Sequence, residues 1–204
     1  MLKMQTSMFL ILGSLVSFLG WFFIYPGGDG PDATAAENAA NLMANPGAAK
    51  VGMLMGFGGM GAMFMGFLNI SRNMASGNGP GSAFGNVSGV FALALIIVGV
   101  FMIGIEWGAA EASSAETATG LMEISKVSET SFTLACGFLL LLIGIGIILE
   151  KNYHVIIGGF SAIAGVSFLA ANAGGDLGML GFIGWIGMLL VGIALGVQTL
   201  RSQS

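Results

Sequence analysis

The chain has 204 residues, 55% hydrophobic and only 8% charged, with six Lys or Arg against ten Asp or Glu and a net charge of −4. Soluble domains carry about 25% charged residues, so this chain could not cover a water-facing surface, and one integral membrane domain over 1–204 is expected. The negative balance removes the electrostatic case for nucleic acid, and the single cysteine, Cys136, excludes an internal disulfide or a cysteine-rich metal site.

In chain order, a first apolar span is predicted at 7–25, closed by Trp21, Phe22, Phe23 and Tyr25, aromatics that suit a membrane interface. Lys3 precedes it, but no small-residue cleavage site follows directly, so the segment reads as a retained helix rather than a signal peptide. The cluster at 26–31, PGGDGP, is a turn and breaker signal. Thr34 and Glu37 stand at capping-box spacing, which predicts a short helix ended by Pro46 and Gly47. Asn38, Asn41 and Asn45 share one face of it, away from Leu42 and Met43, the pattern of a helix lying along the membrane surface.

The second span, 51–70, holds no charge and is crowded with glycine and methionine. As a helix it is about 30 Å long, the thickness of a hydrocarbon core. Glycine makes such a helix poor in water, but lipid leaves backbone polar groups no other partner, so the helix is imposed. A glycine-rich turn precedes a third span at 86–107. The acidic stretch 108–130 has Ser113 and Glu116 at capping-box spacing, predicting a second surface helix. The remaining spans are 131–149, 155–173 and 177–200, separated by the hairpin 150–154 and a tight turn at Gly174, Gly175 and Asp176. The expected fold is therefore all-α: six transmembrane helices with two short surface helices on the outer face.

With the N-terminus in the cytoplasm, Lys3, Arg72, Lys151 and Arg201 fall inside and Lys50 and Lys126 outside, as the positive-inside rule prefers. Of the acidic residues only Glu150 then falls inside. Both termini are expected in the cytoplasm of a prokaryotic cell, with the inner membrane as location.

Pro26-Gly27, Asp32-Ala33-Thr34-Ala35, Ala40-Asn41-Leu42 and Ala44 follow the first span, the second span ends in basic Arg72, and a short basic hairpin carries Lys151. In these strings and in its order of spans the chain resembles the bacterial family catalogued as domain of unknown function 4386. The resemblance implies six helices in a bacterial inner membrane. That family has no assigned activity, so it implies neither an activity nor catalytic residues.

Several patterns invite chemistry. The string from Gly56 to Gly61 matches G-x-G-x-x-G, but it lies inside an apolar span with no strand before it, and helix packing accounts for the glycines. Gly52 and Gly56, then Gly58, Ala62 and Gly66, recur every four residues, as do Gly192 and Gly196, the small-xxx-small arrangement that lets helices touch by backbone. Met53, Met60 and Met63 share a face and are the candidates for Cu(I), which thioethers select. Methionine also fills irregular gaps, and no cysteine or histidine stands in that span. Glu106 is the carboxylate nearest the membrane interior. It reads as an interface anchor beside Trp107, or as an ion or proton site. His154 reads as part of a polar turn and Cys136 as a small core residue. Asn69-Ile-Ser71 and Asn86-Val-Ser88 match glycosylation acceptors but fall on the predicted cytoplasmic side.

With one histidine there is no Ser/His/Asp arrangement and no multi-histidine metal site. The expectation is a non-catalytic membrane subunit with no cofactor, a scaffold or stabiliser whose partners are lipid and other membrane subunits or copies of itself. A small-molecule or ion transporter is the alternative, and a lipid-interface enzyme a weaker one.

Overall fold

A computed structural model of the chain describes residues 2–27, 33–173 and 178–202. The predicted turns around Asp29 and around Asp176 lie outside the described residues, apart from their edges. Every regular element among the described residues is helical: α1 (Leu2–Leu19), α2 (Ala35–Ala44), α3 (Pro46–Ala75), α4 (Ser82–Ala110), α5 (Ala115–Glu150), α6 (Val155–Ala171) and α7 (Gly178–Arg201), with α1 running on into a π-helical turn, Gly20–Ile24. Five stretches, Lys3–Ile24, Pro46–Ala75, Ser82–Ala110, Ala115–Glu150 and Met179–Arg201, are long and apolar enough to cross a membrane, and Val155–Ala171 is a shorter apolar helix.

Local chemistry explains the ends. The Thr34 hydroxyl accepts from the Glu37 N–H at 3.2 Å while the Glu37 carboxylate accepts from the Thr34 N–H at 2.7 Å, the reciprocal capping box. Pro46 opens α3, where its missing N–H costs nothing. α5 closes on Lys151 in the left-handed region at φ 55°. The glycine-rich loop between α3 and α4 has a structural partner: Gly81 N–H donates to the Glu150 carboxylate at 3.0 Å.

Two expectations are corrected here. The acidic stretch before 131 is not a separate surface helix. It is the first part of α5, which is 36 residues long and starts on Ser114, not Ser113, with the Ser114 hydroxyl accepting from the Thr117 N–H at 3.2 Å. No proline interrupts 115–150, so nothing stops the helix once capped. At about 54 Å it exceeds a hydrocarbon core by several turns. Nor does α2 lie free on a surface: Ala39 and Leu42 are buried, Leu42 completely, and α2 packs mainly on α5. Its apolar face is satisfied by protein.

The helices form a closed ring. α3, α4, α5, α6 and α7 pack in sequence, and α1 sits between α7 and α3. The ring's interior is filled. Phe64 of α3 meets Phe132 of α5 edge-on at 5.9 Å, Phe132 stacks on Trp185 of α7 at 6.4 Å, and Trp185 meets Phe168 of α6 at 6.1 Å. Cys136 is fully buried within the same core.

Small residues set how closely the ring closes. A Cβ on Gly13 would stand 2.6 Å from the Met63 backbone nitrogen, and one on Gly59 would strike the Ser17 backbone. Gly66 receives Leu10, Gly56 the Trp21 ring, and Gly52 the Tyr25 backbone. The α7–α1 contact is similar: a Cβ on Gly192 would lie 2.5 Å from the Ser14 hydroxyl oxygen, and one on Gly196 2.6 Å from Ile11. On α3 the seam thus runs through 52, 56, 59, 63 and 66. Gly58 and Ala62 fall off it: nothing lies within 4 Å of a Cβ on Gly58, and Ala62 is half-buried. Steps of four and three average 3.5 residues and stay on one neighbour, whereas steps of four alone drift around a helix of 3.6 residues per turn.

Candidate functional site

Among the described residues the most deeply buried carboxyl is Glu106, on the last turns of α4 and 5% exposed. It does not reach out as an interface anchor. Its Oε2 accepts from the Tyr25 hydroxyl at 2.7 Å and its Oε1 from the Ser125 hydroxyl at 2.8 Å. Three elements meet here: the end of α1, α4, and the part of α5 that the sequence suggested was a surface helix.

Tyr25 arrives through the π turn. Its N–H donates to the Gly20 carbonyl at 2.9 Å, five residues back, and this wider turn re-aims the chain as it leaves α1. The Tyr25 backbone rests on Gly52, and its ring meets Trp21 edge-on at 4.6 Å. Trp21 in turn lies on Gly56 and meets Phe57 at 4.8 Å. The α3 glycines therefore do more than draw α1 close: they fix the height at which the Tyr25 hydroxyl reaches α4.

Neighbouring charges are engaged elsewhere. Lys50 pairs with Glu111 and stands 5.1 Å from the centre of the Trp107 ring. That hydrogen bond holds the Glu111 carboxyl below the usual carboxylate range. Lys126 donates to the Ala33 carbonyl, tying the chain before α2 to α5. Among the described residues no Lys, Arg or His is bonded to Glu106, and no three His, Cys, Asp or Glu are grouped to hold a metal.

The other candidates take separate places. Met53, Met60 and Met63 are buried. The Met63 sulfur accepts from the Ser14 hydroxyl at 3.2 Å, while Met60 lines an apolar cavity of about 110 Å³ between α3 and α4. Gly58, Gly61, Gly99 and Phe132 also line that cavity. His154 caps α6, its Nδ1 accepting from the Ile156 N–H at 3.3 Å. Asn69 donates to the Thr6 hydroxyl at 3.1 Å, and Asn172 to the Phe168 carbonyl at 2.8 Å.

Nothing in the sequence around Tyr25 and Ser125 marks them as members of the site. Tyr25 was one of four clustered aromatics, and Ser125 one hydroxyl in a polar stretch. The available signal was the length of uninterrupted helix through Ser125, which carries that hydroxyl back to the membrane end of the bundle.

Among the described residues the chain is thus an all-α bundle of membrane type, with the Glu106 carboxyl sealed within it. Comparison with protein-family models, with curated proteins and with solved structures finds no match.

Proposed function

We propose that this chain is a non-catalytic integral membrane subunit, a scaffold or stabiliser within a larger membrane assembly or a homo-oligomer. The observation that supports this most is on α3. Gly58 and Gly61 have nothing within 4 Å of a Cβ position and border the apolar cavity, while neighbouring glycines on the same helix are buried against α1. In lipid, small residues let helix backbones approach, and these two are left for something outside the chain. The reading has α6 as the sixth crossing, since 17 residues rise about 26 Å, near the lower limit for a span. It places both termini in the cytoplasm of a prokaryotic inner membrane, in keeping with the family of unknown function that the sequence resembles.

Cross-linking in native membranes, followed by purification in mild detergent, tests it. The expected result is a specific higher-mass species that Gly58→Leu abolishes while the isolated chain stays folded. A chain that runs as a monomer and cross-links to nothing ends this reading.

Small-ion transport is a second reading, drawn from Glu106 alone. A sealed carboxyl in a span is a feature of ion and proton paths, but the aromatic filling of the ring offers no comparable support. Ion flux in proteoliposomes that Glu106→Gln removes would favour it over the first.

A further inference from the structure

Glu106 raises a question that neither functional reading answers: what balances a carboxyl sealed from water? An ionised carboxylate removed from water needs a counter-charge or several strong donors. Glu106 has two neutral hydroxyls. From α3, Lys50 is paired with Glu111 and Trp107; from α5, Lys126 donates to the Ala33 carbonyl and its charge bears on Glu129, not on Glu106. Glu37, on α2, is closed into its own capping box. Glu129, one turn beyond Ser125 on α5, is a second carboxyl and brings no positive charge. No group facing the carboxyl among the described residues supplies the missing positive charge.

The geometry also chooses between ligands. Oxygens 2.7 and 2.8 Å apart are separated by a hydrogen. A hard cation takes about six or more oxygen ligands, and this site offers one carboxyl and two hydroxyls. We propose that Tyr25, Glu106 and Ser125 form a proton-binding site in which Glu106 is held as the neutral acid. The Tyr25 hydroxyl donates to one carboxyl oxygen. The acid's own proton sits on the other oxygen, and the Ser125 hydroxyl, the donor to a bare carboxylate there, rotates to accept it. The proton does the work of a counter-ion, and the π turn is the device that brings Tyr25 within reach. The site works equally as a static seal or as a station in a proton path, so it rests on neither reading of function.

Infrared spectroscopy of the purified full chain near neutral pH tests this through the C=O stretch of a protonated carboxyl. The expected result is one such band, absent in Glu106→Gln and unchanged in Glu129→Gln. Tyr25→Phe and Ser125→Ala keep the carboxyl and change its partners, so each should shift the band's frequency. These two variants carry the test if Glu106→Gln does not fold. No protonated-acid band, a band that survives in Glu106→Gln, or one indifferent to both hydroxyl deletions overturns the proposal. A band lost in Glu129→Gln instead places the proton on the wrong carboxyl and overturns it equally.

Discussion

On one face of α3, Gly52, Gly56, Gly59 and Gly66 lie against α1 and the π turn that continues it, so close that a Cβ would strike backbone, ring or leucine side-chain atoms. On another face, Gly58 and Gly61 have open space, and the contact with α4 leaves a cavity of about 110 Å³. Both sets come from one run of sequence, and the difference lies in the partner. α1 brings its own small residues, Gly13, Ser17 and Gly20, to the seam. α4 brings Leu95, Ile96, Val100 and Ile103, with only Gly99 among them at the cavity. Close helix approach in lipid needs small residues on both sides, because packing rather than water expulsion drives it.

Substitutions separate the two faces. The largest effect is expected from Gly59→Leu, whose side chain has nowhere to go but through the Ser17 and Gly13 backbones: α1 should detach, seen as loss of the cooperative thermal transition in detergent. Gly59→Ala should cost about 1–3 kcal/mol, the usual range for overpacking. Next, Gly58→Ala should be neutral or stabilising by up to about 1 kcal/mol, since alanine is the better helix former and meets nothing. Equal losses at 58 and 59 in the same thermal assay would erase the distinction between the faces.

Thr34→Ala serves as a control away from both faces. It removes the capping box of α2 and should cost about 1 kcal/mol, read as faster amide exchange over the first turn of α2 with α1–α3 protection unchanged. The box also has a pH signature. Hydrogen bonds from the Thr34 N–H and then its hydroxyl hold the Glu37 carboxyl below its ordinary range. A depressed carboxyl stabilises above its unfolded pKa and loses that contribution as pH falls through the folded value. Protection of the first turn should therefore fade on acidification, and Glu37→Gln should flatten that response. The smallest change is expected from Lys50→Ala. Its partner Glu111 is exposed, and solvent screens surface pairs of this kind.

Much of the architecture was legible along the chain. The apolar runs, the capping box at Thr34 and the hairpin after Glu150 each depend on neighbours within a few residues. The register of the glycine seam did not read out. Steps of four through Gly58, Ala62 and Gly66 looked as good as the 52–56–59–66 path, because the choice depends on where Gly13, Ser17 and Gly20 sit on another helix. The site was half legible. Glu106 stood out as a carboxylate at the end of an apolar run, but its burial depends on Tyr25 and Ser125, 81 and 19 residues away.

What the sequence alone determined is the solvent and the class of fold. A chain so poor in charge and so rich in apolar runs must satisfy its backbone within each segment, and helices are the way to do so. What only the tertiary structure decided is which small residues touch, that α5 is one helix continuing into the bundle, and that Glu106 is sealed rather than exposed. Those outcomes depend on contacts between helices, where a shift of a single residue in register exchanges a buried glycine for an open one.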